Sequence, residues 1–185
     1  FAGHVSQASD PGDYFTFEIA GQRLFCIRNY DNVLLTFYNV CQHRAHELVK
    51  GQGHCDKTIV CPYHAWSYNL DGNLLRGPNT EVIPAQAKEG ICLTPVRTQE
   101  FCGFVFVNLD DNAEPMGVWF PEVETQLREF VPNIDALMPI ETISVREKCN
   151  WKVSVENYSE CYHCRINHRT FASGVIKPET YDIQP

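Results

Sequence analysis

Between Cys41 and Trp66 the sequence reads CQHRAHELVKGQGHCDKTIVCPYHAW, which holds three cysteines and four of the chain's seven histidines. Thiolates and imidazoles are the donors that hold zinc and iron–sulfur clusters. Two pairs stand out by spacing. Cys41 and His43 read C-x-H, Cys61 and His64 read C-x-x-H, and seventeen residues separate His43 from Cys61. Each pair follows a strand-like run, VLLTFYNV before the first and DKTIV before the second. Two β-loops facing each other can therefore pinch one centre between them. Zinc is the first rival. A zinc finger offers two cysteines and then two histidines carried on a helix. Here the order is Cys-His and again Cys-His, and Pro62 opposes a helix at the second pair. The order suits a binuclear cluster with two thiolates on one iron and two imidazoles on the other. Neutral imidazoles leave such a cluster less negative than an all-cysteine one, with a potential of roughly −150 to +300 mV. His46, His54 and Cys55 are expected to be exposed or loop residues with no ligand role. Cys26, Cys92, Cys102 and Cys149 lie in or beside apolar runs and are expected to act as small buried hydrophobes.

A second dense stretch is Asn150–His168, NWKVSVENYSECYHCRINH. It reads as a helix carrying Glu160, Cys161, His163, Cys164 and His168. Cys161, Cys164 and His168 fall at i, i+3, i+7 and share one face, whereas Glu160 and His163 at i, i+3 share another. His163 and His168 are five apart, about 140° around an ideal helix. Three readings stand side by side. A zinc set takes Cys161, Cys164 and His168 but lacks a fourth nearby ligand. An iron set takes His163 and His168 and requires the helix to break, widen into a π-bulge or end between them. An amphipathic helix with buried cysteines and a hydrogen-bonded histidine pair requires no metal at all.

The elements that must position these residues follow from pattern. Residues 14–40 alternate and are rich in aromatic and β-branched side chains, with Asp31-Asn32 as a turn, and read as hairpins. Asp71-Gly72-Asn73 is another turn and Glu100–Leu109 another strand. Residues 1–110 thus form an antiparallel β domain. Asp110–Gly117 is polar, with proline and glycine, and reads as a linker. Pro121–Val131 fits a short helix whose apolar stripe is Val123, Leu127, Phe130 and Val131. Glu141–Lys148 alternates like a strand. The fold class is α+β, with residues 111–185 opening a second domain.

Bulk properties narrow the function. The chain has 185 residues, 44% of them hydrophobic, enough for a packed core. A formal net charge of −8 argues against nucleic acid. No apolar run reaches the length of a membrane span. The opening FAGHVSQASDPGDY lacks a basic start and an apolar stretch, so no export signal is expected. Nine cysteines, an odd number in a chain too large to need staples, point to a reducing cytoplasm and to metal chemistry.

The first constellation resembles the Rieske [2Fe–2S] motif, C-x-H-x17-C-x2-H. Its flanks, with Arg44, then Cys61-Pro62-Tyr63-His64, Trp66 and Tyr68-Asn69-Leu70-Asp71-Gly72, resemble the Rieske domain of aromatic-ring-hydroxylating and related oxygenases. The resemblance implies that Cys41, His43, Cys61 and His64 hold the cluster. Respiratory Rieske proteins carry a disulfide beside it; His46 and Tyr63 stand at those positions here, which favours the lower-potential type. Ala45 and Ala65 stand where many relatives have glycine, a change that bears on any backbone amide donating to the sulfurs. The second stretch, N-W-K, E-N-Y and E-C-Y-H-x4-H, is similar to the catalytic segment of Rieske non-heme iron oxygenase α subunits, an α+β helix-grip domain. By that resemblance His163 and His168 bind a mononuclear Fe(II) together with a carboxylate. That carboxylate falls beyond Pro185, since Asp182 comes too soon, and the chain spans about half of a family member. Glu160 stands at the position that bridges the mononuclear site to the cluster of a neighbouring subunit. The resemblance further implies an O2-dependent enzyme, a homotrimer, and NAD(P)H electrons delivered by a flavin/iron–sulfur reductase component. Glu160, E-C-Y-H-C and C-Q-H-R-A-H-E-L look most like the oxygenases of quaternary ammonium compounds such as carnitine, glycine betaine and choline. An aromatic-ring dioxygenase is the enzymatic alternative. A Rieske ferredoxin-type carrier is the non-enzymatic one, and it would have no use for Asn150–His168.

Overall fold

The computed structural model describes residues 1–160 and 163–174. Their contacts divide the chain into two compact units, Phe1–Ile140 and Glu141–Pro185. The sequence places a break near 110, but residues 111–140 pack with the first unit.

The first unit is built from antiparallel strands: β1 (Gly3–His4), β2 (Asp13–Ile19), β3 (Gln22–Arg28), β4 (Leu34–Tyr38), β5 (Gln52–His54), β6 (Ile59–Val60), β7 (Ser67–Tyr68), β8 (Leu74–Arg76), β9 (Pro95–Phe101) and β10 (Phe104–Asn108). Seven form one sheet in the order β1-β10-β9-β4-β3-β2-β5, and β6-β7-β8 form a second. The hairpins expected from residues 14–40 are β2–β3 and β3–β4, with Phe15 opposite Cys26 and Phe25 opposite Phe37. β3 is the central support. Phe25 and Ile27 enter one core, Cys26 enters the other, and so the strand reads apolar on both faces.

The expected single strand Glu100–Leu109 is instead a hairpin. β9 and β10 pair with Phe101 opposite Phe104, and the two-residue turn is Cys102-Gly103, with φ +51° and +81°. Both turn residues lie in the left-handed region, as a tight hairpin of this hand demands. Glycine accepts that conformation freely and cysteine does not, which hid the turn within an apolar run.

After β10, α2 (Met116–Trp119) and α3 (Val123–Phe130) follow. Leu127 and Val131 pack with Phe101, Phe106 and Ile134, while Phe130 is 86% exposed and leaves the expected stripe. A short helix, α1 (Ala85–Glu89), lies between β8 and β9.

In the second unit, Glu141–Lys148 forms no strand and is exposed. Asn150 caps α4 (Trp151–Ser159), its side chain accepting the Lys152 N–H at 3.0 Å. The expected single helix over Asn150–His168 ends at Ser159, and Glu160 is extended (φ −121°, ψ 142°). The chain resumes as α5 (Cys164–Asn167) and α6 (Arg169–Gly174). Among the described residues no helix is long and apolar enough to cross a membrane.

Candidate metal centres

The first centre lies where the two sheets meet. One loop leaves β4 and carries Cys41 and His43; the other links β6 to β7 and carries Cys61 and His64. The loops share one backbone frame. The Cys41 N–H donates to the His46 carbonyl and the Ala45 N–H to the Cys41 carbonyl; the Cys61 N–H donates to the Trp66 carbonyl and the Ala65 N–H to the Cys61 carbonyl. Ala45 and Ala65 occupy matching left-handed positions, φ +55° and +57°. Their amides are thus committed to cysteine carbonyls. The added methyls at Ala45 and Ala65 therefore do not bear on amides aimed at sulfur.

Cys41 and Cys61 are each 2% exposed and sit in one core with Phe37, Ile59, Tyr68 and Leu93. Burial pushes the Cys41 thiol up, partly offset by hydrogen bonds from Tyr68 and the backbone, and the nearby Cys61 thiol raises it further. The Tyr68 hydroxyl lies 3.3 Å from Cys41 Sγ and accepts the Gln42 N–H at 3.1 Å. With its lone pair engaged by an amide, the hydroxyl has its proton free for the sulfur.

The two imidazoles face each other at the mouth, ring centroids 4.9 Å apart and planes at 66°. His64 Nδ1 is buried and has no hydrogen-bond partner. Desolvation, then the neighbouring His43, Arg44 and His46, hold this imidazole below its ordinary pKa. A buried, unpartnered ring nitrogen beside a pair of buried thiols is what a bound metal requires of its ligands. The residues present therefore fit a [2Fe–2S] group. Among the described residues, no three His, Cys, Asp or Glu side chains converge to hold a single ion. A cavity of 770 Å³ opens over the mouth, and its lining includes Arg44, Tyr63, Trp66 and Asn79 but no carboxylate.

The leftover residues are mixed. His46 is exposed, its ring 5.5 Å from that of Tyr63, so two aromatic rings meet where the respiratory proteins have a disulfide. His54 is exposed but lies on β5, and its Nδ1 is 2.8 Å from Asp13 Oδ1. Cys26 and Cys102 are buried as expected, and burial raises the Cys26 thiol to about 12. Cys92 and Cys149 are exposed, contrary to expectation, because neither lies on a strand or helix with a face turned to a core.

In the second unit, His163 precedes α5 and His168 ends it, leaving helical geometry at φ −117°, ψ 55°. The helix is a single turn, and its break at His168 brings the two imidazoles to a centroid distance of 5.1 Å. Continuous helical geometry would hold them apart. Glu160 Oε1 lies 2.7 Å from His163 Nδ1. An ionised carboxylate only accepts, so it fixes the proton on Nδ1 and leaves the Nε2 lone pair available. This pair fits a metal ion. Of the zinc set, Cys164 is buried and Cys161 lies outside the described residues; Asp182, set aside as an iron ligand, also lies outside them.

Residues 1–87 match the Rieske [2Fe-2S] domain and residues 134–183 the catalytic domain of the ring hydroxylating alpha subunit. The chain is 40% identical to the carnitine monooxygenase oxygenase subunit of Acinetobacter pittii, over 93% of this chain and 46% of that one. It is 30% identical to the glycine betaine monooxygenase oxygenase subunit of Pseudomonas aeruginosa, over 90% and 38%. The crystal structure of a quaternary ammonium Rieske monooxygenase in complex with L-carnitine superposes with a TM-score of 0.87 at 39% identity, covering 94% of this chain and 49% of that one. The chain spans about half the length of the curated relatives it matches.

Proposed function

We propose that this chain, which belongs to the Rieske non-heme iron oxygenase α subunits, is part of the oxygenase component of a two-component monooxygenase that hydroxylates a quaternary ammonium compound such as carnitine, a step that can lead to C–N cleavage. The observation that carries the reading is the pairing of two sites of distinct chemistry. One offers two buried thiols and two imidazoles from facing β-loops, and the other offers two imidazoles and a carboxylate at a broken helix. A ferredoxin-type carrier would need only the first. Residues 1–110 serve as the Rieske domain, and 111–185 open the catalytic domain.

Bound at these sites, a [2Fe–2S] cluster supplies one-electron transfer and a ferrous ion supplies O2 activation. The chain's own residues prepare both. Cys41 and Cys61, held in the core, and His43 and His64, at the mouth, would hold the cluster with its imidazole edge towards solvent. Tyr68 holds a proton against Cys41 Sγ. His163 and His168 would hold the iron, a carboxylate beyond Pro185 completing the set. Glu160 keeps the proton on His163 Nδ1 and is the proposed link to the cluster of a neighbouring subunit in a homotrimer.

Electrons would come from NAD(P)H through a flavin/iron–sulfur reductase, and the proposed compartment is the cytoplasm, where that cofactor is supplied. The carnitine and glycine betaine relatives support the substrate class. An aromatic-ring dioxygenase is the alternative.

The test uses the full-length protein with its reductase, NAD(P)H and O2. L-carnitine is expected to be consumed with stoichiometric O2 uptake, and His163→Ala should abolish turnover while leaving the cluster's absorption and EPR signals intact. Consumption of naphthalene but not of carnitine would favour the dioxygenase. Loss of the cluster signals in His163→Ala would contradict two separate sites.

A further inference from the structure

Trp66 is half-buried beside the cluster mouth, and its indole lies flat on the His43 imidazole, centroids 4.8 Å apart and planes within 8°. The local fold explains how it is held there. Trp66 immediately precedes β7, and Gly77 immediately follows β8. Ser67 pairs with Arg76 across these antiparallel strands, so residues 66 and 77 are cross-strand neighbours. A Cβ on Gly77 would stand 2.4 Å from Trp66 Cδ1 and 2.8 Å from its Nε1. The indole therefore lies against bare backbone. That backbone is itself fixed. The buried Thr80 hydroxyl accepts the Gly77 N–H at 2.9 Å and donates to the Gly77 carbonyl at 2.8 Å. The chain of contacts runs from Thr80 through Gly77 and Trp66 to one ring of the imidazole pair.

We propose that Trp66, seated on Gly77, is a positioning residue that fixes the plane of the His43 ring and keeps water from one of its faces, thereby setting the potential of the centre that His43 helps to hold. The proposal rests on the reading of Cys41, His43, Cys61 and His64 as cluster ligands. With two ferric ions, two sulfides, two thiolates and neutral imidazoles the oxidised centre has no net charge, and reduction adds a negative one. Water stabilises the charged form more. Uncovering the His43 face should therefore favour reduction and raise the potential, solvent exposure being one of the determinants of such potentials.

The experiment is a redox titration, with EPR of the reduced state and measured cluster content, on full-length holoprotein carrying Trp66→Ala, Trp66→Phe or Gly77→Ala. Trp66→Ala and Gly77→Ala should raise the midpoint potential and shift the g-values of the loaded fraction, the second by pushing the ring aside without removing it. Trp66→Phe, which restores a flat face, should stay near the parent on both readouts. A merely structural role would lower cluster content and leave the potential and g-values of the loaded fraction unchanged, and that result overturns the proposal. Should Trp66→Ala hold no cluster, Gly77→Ala decides alone, and failure of both to assemble a centre in folded protein also counts against a positioning role. A parent protein lacking a signal from a mixed cysteine–histidine cluster would instead sink the ligand assignment itself.

Discussion

Two side chains that are not themselves proposed ligands carry the sharpest consequences for the two centres. Tyr68 is fully buried, and its hydroxyl bridges the Gln42 amide and Cys41 Sγ. A hydrogen bond to a thiolate stabilises the electron-rich, reduced state more than the oxidised one. Tyr68→Phe should lower the midpoint potential. If about 1 kcal/mol of the bond is felt differentially, the one-electron shift is roughly 40 mV, measurable by a redox titration of the holoprotein. An unchanged potential would remove Tyr68 from the account. Glu160 acts at the other centre. Glu160→Gln keeps the shape, but the amide no longer carries the charge that holds the proton on His163 Nδ1. Single-turnover electron delivery should slow by about 10–100-fold with full metal content, and normal delivery would rule out the bridge. These roles are partly legible in sequence. Glu160 and His163 meet as the sequence expects, though with Glu160 extended and not on the shared helix face that their i, i+3 spacing suggested, whereas Tyr68 and Cys41 are 27 positions apart and only the packing of the small sheet on the large one joins them.

At the scale of elements, the first cluster loop is held closed by Asn39. This buried side chain donates to the Val49 carbonyl at 2.7 Å and accepts the amides of Leu48 and Val49 at 3.0 and 3.1 Å, while its own backbone N–H reaches the Arg23 carbonyl. It joins the end of β4 to the chain leaving the loop, on either side of Cys41 and His43. Asn39→Ala would strand two buried amides and a carbonyl. The expected loss is about 2–3 kcal/mol of unfolding free energy by urea denaturation, together with weaker cluster retention; a loss below about 0.5 kcal/mol would mean that water replaces the clamp. Runs of aromatic and β-branched side chains punctuated by turn signals made β2, β3 and β4 readable in advance, although β3 is buried on both faces. The β9–β10 hairpin was not, because Cys102-Gly103 carries too little polarity to interrupt EFCGFVFVNL. Glu141–Lys148 shows the converse failure: its alternation is real, but among the described residues no strand pairs with it. The break at His168 could be posed from sequence only as a condition that iron binding would impose; no Pro or Gly marks it.

For the molecule as a whole, ligand order and spacing revealed the chemistry better than composition did. The charge of −8 argues against nucleic acid but does not identify electron transfer. Less legible is that α3 and Ile134 pack back onto the β9–β10 hairpin through Leu127 and Val131, contacts no local pattern encodes. The central claim is that the first unit binds a cluster through two thiolates and two imidazoles. It is tested most directly by nitrogen ENDOR on the reduced, anaerobically isolated protein with 15N-labelled histidine. The account predicts two strongly coupled histidine nitrogens, both lost or altered when His43 or His64 is replaced. A reduced cluster with no directly coupled histidine nitrogen, or a site filled by zinc alone, would contradict it.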